Sequence, residues 1–531
     1  MTGSNTYAGP TKVNQGRLTI NGSVTSDVSV QGEGIIGGSG TLGSLSVRRG
    51  GTVAPGSSVG TLKVTGDVSF APGSRYVVEV STDGQSDKLQ SHGAAMIGGG
   101  EVAVTLENHN NLLTQKEVFA LHGQQYTILN AQQGVSGRFD TVIPNYLFLG
   151  AGLGYQWDKV LLNVGRNNTS FASVAQTPNE WAVASAANTL APGHPVYESI
   201  LRSRTAEEAR QAFRQLSGQV HADVASVLMN DSRYLRDTLN GRLRQAEGLV
   251  GSPAIRANED GAWVQLVRAW SHATGNSNAT GYQASACGVL TGVDTAVNEW
   301  RLGVATGYTR NSLHGASGSE ADSDNYHLAV YGNHQSGKLG IRGGVSHTWH
   351  RIDTKRTVNY GIQADHDTAR YSAHTGQLFA EAGYSIRGSK LSLEPFASLT
   401  YAEFRNNSIA ENGGAAALRG GKQHKNATVS TLGLRADKKW QLNQGMTVAF
   451  RSELGWQRLY RDRERGVKLR FTGTDAQFKV NSVPASRDGM VLKAGAEATV
   501  NRNVTISLEY SGLLSQSYQD NRLNAGLSWR F

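Results

Sequence analysis

From about residue 261 onward, apolar and polar residues alternate with a period of two. Trp300, Leu302, Val304 and Tyr308 share one face of an extended chain, with Arg301, Gly303 and Ala305 on the other. Val504, Ile506, Leu508 and Tyr510 stand opposite Thr505, Ser507 and Glu509 in the same way. At the C-terminus Leu523, Ala525, Leu527, Trp529 and Phe531 oppose Arg522, Asn524, Gly526, Ser528 and Arg530. Successive side chains of a strand point to opposite faces, so each segment has one oily and one wet side. The pattern predicts twelve strands, at 261–272, 284–297, 299–311, 323–334, 337–352, 370–386, 390–406, 424–438, 445–460, 487–500, 503–514 and 520–531. Short connections (387–389, 501–502) alternate with long polar ones (312–322, 353–369, 407–423, 461–486). An even strand number with turns at one end and loops at the other is the habit of a membrane barrel, where closure pairs every backbone donor and acceptor in lipid. Trp270, Tyr308, Tyr401, Trp456 and Trp529 near strand ends suit interfacial girdles.

The period changes upstream. Over 178–247, Val220, Val224, Val227, Leu228, Leu235, Leu239 and Leu243 recur at helical spacing, and Thr205 followed by Glu207 and Glu208 suits a helix start. Residues 1–80 read as short strands cut by Gly, with pairs such as Leu18/Ile20, Val28/Val30, Leu45/Val47 and Val68/Phe70 every 8 to 17 residues. That spacing is expected of rungs in a β-solenoid, with a sandwich as the alternative. Longer turns over 84–165 suggest a cap on the stack.

Composition sharpens this reading without replacing it. The 531 residues include 64 Gly against 10 Pro, and only 38% are hydrophobic, as expected of a mostly β chain with half its side chains solvated. The formal charge of +9 raises nucleic acid as a partner, but along the sequence Lys and Arg are scattered and form no dense basic patch, so none is expected. Cys287 is the only cysteine, which excludes an intrachain disulfide. Residues 1–10, MTGSNTYAGP, show neither the basic nor the apolar segment of a signal peptide.

Candidate chemistry is sparse. GSSVG, Gly56 to Gly60, matches a nucleophile-elbow pattern centred on Ser58, but an elbow needs a helix after it and a strand, TLKV, follows here. No catalytic site is predicted, and no metal or other cofactor. His347 and His350, three apart on a strand, point to opposite faces, and His366 and His374 read as solvated loop residues.

The sequence also resembles the C-terminal part of a type Va autotransporter over nearly its whole length. PGSSVGTLKVTGDVSFAPGSRYVVEV resembles passenger repeats of that family, and YTILNAQQGVSGRFDTVIPNY with RNNTSFASVAQTPNEWAVASAANTL resembles its stem and junction. LSGQVHADVASVLMNDSRYLRDTLNGRLR is similar to the linker of members that carry subtilisin-like proteases. The resemblance implies an all-β chain with three parts: a β-helical passenger stem with an autochaperone-like cap over 1–165, a helical linker with a pore-plugging helix over 166–258, and a twelve-stranded outer-membrane barrel over 259–531. It also implies a translocator that anchors and exports its own N-terminal passenger to the surface of a Gram-negative cell, with any catalytic passenger upstream. The alternative is the C-terminal part of a secreted serine protease or β-helical adhesin whose effector activity is the main function.

Several residue roles follow from the resemblance. Leu523, Leu527, Trp529 and Phe531 form the signal for the barrel assembly machinery, which with periplasmic chaperones and outer-membrane lipid makes up the expected partners of a monomeric barrel. Val224, Leu228, Arg233, Arg236, Leu239 and Arg242 line the pore helix, with Arg233, Arg236, Arg242 and Arg244 facing lumen glutamates. Self-cleavage of the linker inside the pore has Asn230 and Asn240 as candidates and Glu299, Glu381 or Glu453 as helpers, although the double Asn of one subgroup is absent.

Overall fold

In a computed structural model the chain is described except at residues 82, 107–121, 144–145, 191–192, 248–259, 316–317, 362, 389–390, 444–445, 461–465 and 502. Two compact units result, one of 1–174, 191–212 and 360–363, the other of 175–190, 213–359 and 364–531. The expected boundary between linker and barrel at 258/259 lies outside the described residues.

The first unit is a parallel solenoid. Val28 pairs with Leu45, Leu45 with Val68, and Val68 with Ala95, so successive coils return after 17, 23 and 27 residues. A 17-residue recurrence in the sequence is therefore one coil, while the shorter intervals are spacings of strands within a coil. Stacking buries one apolar ladder (Val30, Val47, Phe70) and, on the opposing sheet, another (Leu62, Leu89, Leu129). The stack also runs further than expected: Glu101–Leu106 still pairs in parallel with Arg75–Val80 and with Thr141–Ile143. The hairpin Leu149–Tyr155/Lys159–Arg166 turns antiparallel and closes one sheet. Within the solenoid GSSVG is a tight turn. Gly56 has φ +76°, and a Cβ there would strike the Ser58 carbonyl; the strand Thr61–Val64 follows with no helix.

The second unit is a closed antiparallel barrel of twelve long strands. All twelve expected strands are present. The first, Gly261–Ala273, pairs with its neighbour Tyr282–Val297 and also with the last, Tyr518–Arg530, in the register Gly261 to Arg530. Phe531 extends the seam, its N–H donating to the Asp260 carbonyl at 3.1 Å. Alternation then sets the faces: Leu527 and Trp529 are 46% and 55% exposed on the outside, while Arg522 and Ser528 are 0% and 6% exposed on the inside. Cys287 lies on the outer face.

Three expected loops carry strand. Leu339–Tyr360 and Gln363–Tyr384 are 22-residue strands that continue through 353–369, twice the ~9–11 residues a membrane requires. His366 and His374 consequently lie on a strand. Within 407–423 and 466–486, Ile409–Asn412, Leu418–Gly420, Gly466–Phe471 and Gln477–Asn481 form a small antiparallel sheet, which buries Leu418, Leu469, Phe471 and Val480.

Candidate functional site: a helix inside the barrel

The helical region contains a break. Thr205 Oγ1 accepts the Glu208 N–H at 3.2 Å and starts the helix Ala206–Leu216. Gly218, at φ +64° and packed so closely that a Cβ would meet Leu418, interrupts it. A second helix, Val220–Glu247, has 28 residues and is about 42 Å long at 1.5 Å per residue, enough to pass a ~30 Å hydrocarbon layer.

Two kinds of contact hold this helix. Leu235, Leu239 and Leu243 pack against Trp263, Val267, Leu290, Ala305, Tyr331 and Phe379 from the inner faces of five of the first six strands. The other contacts are ionic. Arg233 Nε donates to Asp520 at 2.8 Å, and the Tyr234 hydroxyl donates to the same carboxylate at 3.0 Å. Arg242 grips Asp294 with two donors at 2.7 and 3.0 Å, and Arg301 reaches that carboxylate at 2.7 Å. Arg244 donates to Asp437 at 2.8 Å. Water is largely excluded, so each unpaired charge would be costly and each pair fixes the position of the helix.

Beneath these pairs lies a charge lattice in the barrel wall. Arg435 donates to Glu381, Glu394 and Glu453 at 2.7, 2.8 and 2.6 Å, Arg342 to Glu381 and Glu394 at 3.0 and 2.9 Å, and Lys493 lies 3.2 Å from Glu453. Three cations face three carboxylates, so the lattice is neutral. At the loop end of the helix, Glu411 accepts two bonds from Arg356 at 2.7 Å and one contact from His221 Nε2 at 2.8 Å. Beside the helix remain spaces of about 70 and 80 Å³, room for a few waters and none for a second polypeptide.

The structure places Val224, Leu228, Arg233, Leu239 and Arg242 on buried positions of this helix, and Arg236 is half-buried there. The expected partners of its arginines need correction: they are mostly aspartates (Asp294, Asp437, Asp520), with Glu394 only 3.5 Å from Arg244. Glu299 stands in a tight turn with its side chain 83% exposed and does not line the lumen. Glu381 and Glu453 do line it, but Arg435 holds both. Asn240 is buried and Asn230 borders the 80 Å³ space; among the described residues no carboxylate hydrogen-bonds either. Of the strand histidines, His350 is buried between Asn325 and Thr375 while His347 faces out. The sequence places Asp294 and Asp520 at inward-facing positions of expected strands, but not which of the inward acids meet the helix.

Comparison with known proteins agrees with this architecture. Residues 262–511 match the family model of the autotransporter β-domain. Two extracellular serine proteases of Serratia marcescens are 48% and 46% identical over the whole chain, which spans about half (54%) of their length. Among solved structures, the translocator domain of NalP from Neisseria meningitidis is similar with TM-score 0.46 and 17% identity, covering 58% of this chain and 99% of that one. The transport unit of AIDA-I from Escherichia coli gives 0.38 and 14%, with 55% and 97% covered. The family match lies on the closed barrel, so the C-terminal half of this chain is an autotransporter translocator β-domain, an outer-membrane barrel.

Proposed function

We propose that the barrel exports the N-terminal part of its own polypeptide to the cell surface and is described here in the state after export, with its pore closed by the linker. The observation that carries this reading is the thread of the chain. The helix enters at the long-loop end, where Gln219 donates to the Thr280 carbonyl, and leaves beside Gly261 and Asp294 at the turn end. Read from its C-terminus, the helix therefore leaves the lumen on the loop side, and in outer-membrane barrels long loops face the exterior. Folding of solenoid coils outside buries apolar surface rung upon rung and biases movement outward. We place the effector activity in a serine protease carried as passenger, after the names of the two Serratia relatives. Leu523, Leu527, Trp529 and Phe531, all exposed on the closing strand or its end except where neighbouring strands pair with their backbone, would be read by the assembly machinery through strand addition at an open edge. Periplasmic chaperones would hold the chain before that step.

The test is protease shaving of intact cells expressing the chain with an epitope at its N-terminus. The epitope should be lost while a periplasmic marker survives. Loss only after the outer membrane is broken would contradict the reading.

A further inference from the structure

The fold gathers cations that the sequence keeps apart. Arg419, Lys422 and Lys425 of one loop and strand start meet Lys468, Arg470 and Lys479 of another hairpin around a cleft of about 480 Å³. The scattered distribution of Lys and Arg along the chain concealed this patch. Among the described residues no Asp or Glu lines the cleft. Among the described residues the carboxylates that approach it are Asp475, 2.8 Å from Arg470, and Glu403, beside His424.

The register makes the arrangement more telling. Arg419 stands directly opposite Arg470 in the antiparallel ladder, and Lys468 directly opposite Lys479. Lys468 and Arg470, two residues apart, share a face. Like charges directly across a ladder destabilise a sheet, and two adjacent like pairs around an open cleft are what an anion would relieve. Lys425 is itself buried, its ammonium donating to the Gly466 carbonyl at 2.5 Å at the cleft wall.

Height above the membrane selects the anion. Tyr401 and Tyr460 are exposed aromatics at the loop end, paired in register or hydrogen-bonded to Thr428 and Ser430. Exposed aromatics of this kind mark the membrane interface. Gln423–Lys425 lie three to seven residues beyond that level, roughly 8–18 Å above it at ~3.3 Å per residue and ~40° strand tilt. That is the layer of sugar and phosphate headgroups.

We propose that this cleft binds the phosphate groups of a phosphorylated glycolipid of the outer leaflet, so that the loop end of the barrel grips the membrane surface it crosses. The proposal rests on the orientation argued under Proposed function. Its test reads phosphate preference and not topology, so the two fail separately.

Full-length folded protein, shown to be folded by its faster migration when unheated, is titrated in EDTA with labelled lipid A and with the same lipid after removal of its phosphates. Native protein should prefer the phosphorylated lipid at least tenfold. The variant Arg419→Gln/Lys468→Gln/Lys479→Gln should lose that preference, and Lys468→Arg should keep it. The single exposed change Lys468→Glu, expected to weaken binding several-fold, serves if the triple variant does not fold. Equal binding of both lipids by native protein, or an undiminished preference in folded variants, would overturn the proposal. So would competition by inorganic phosphate at equal concentration, which would mark a free-anion site, or by single-stranded DNA charge for charge, which would mark a non-specific polyanion surface.

Discussion

Replacing Arg233 by Met should loosen the plug. Asp520 is fully buried and receives the Arg233 guanidinium at 2.8 Å and the Tyr234 hydroxyl at 3.0 Å. With Arg233 gone the carboxylate keeps only the phenol, and stripping one partner from a buried pair costs about 3–5 kcal/mol. At about 1.4 kcal/mol per decade the undocked helix should become roughly a hundredfold to a few thousandfold more populated. Planar-bilayer recordings read this directly as the fraction of time a wide pore is open. The double variant Arg233→Met/Asp520→Asn removes both charges, and should return the open fraction to within about tenfold of the native barrel. Two results would refute the reasoning: a folded single variant as silent as native protein, or a double variant as leaky as the single one.

On the closing strand Leu527→Lys, facing lipid, should destabilise the barrel by about 2–4 kcal/mol if it lies near the midplane, and Ser528→Lys, facing the lumen, far less, as measured by urea unfolding in detergent. Deleting Phe531 should remove a seam bond to Asp260 together with the terminal aromatic and lower the amount of heat-modifiable barrel, whereas Phe531→Tyr should restore it. In the solenoid, burial pushes the Asp87 carboxyl up to about 7 against the two N–H groups, of Glu79 and Gly60, that it accepts. Because the folded state holds this proton more tightly than the unfolded one, stability should be highest below pH ~4 for this group and fall by about 1.4 kcal/mol per pH unit toward 7; thermal unfolding of full-length Asp87→Asn should lose that slope. Serine-directed phosphonate labelling should leave Ser58 unmodified, since it sits in a turn before a strand.

Much of the barrel was legible because lipid enforces a strict two-residue period, as at Trp300–Tyr308 and Leu523–Phe531. The strands were underestimated where that constraint ends. Around Thr354, Arg356 and Asp367 the outer face turns polar and the buried face mixes Ile352 and Val358 with Thr354 and Arg356, so the lipid-type alternation is lost although the ladder continues. The solenoid was legible as strands but not as coils, since coil length depends on turns of unequal size. Helical spacing marked the helix, yet the choice of aspartates as its sockets, and the exposed turn that takes Glu299, depend on which strand end each acid occupies. The basic cleft joins two loops about fifty residues apart and leaves no local trace.

The central claim is that the polypeptide preceding the barrel runs through it. Asp231 on the helix is hydrogen-bonded to Asn311 on the inner face of a strand, while Arg310 beside it points outward. In a Cys287→Ser background, Asp231→Cys with Asn311→Cys should be joined by a short bis-maleimide in intact outer membranes, and Asp231→Cys with Arg310→Cys should not. Cross-linking of neither pair, or of both equally, would contradict a helix seated in the lumen.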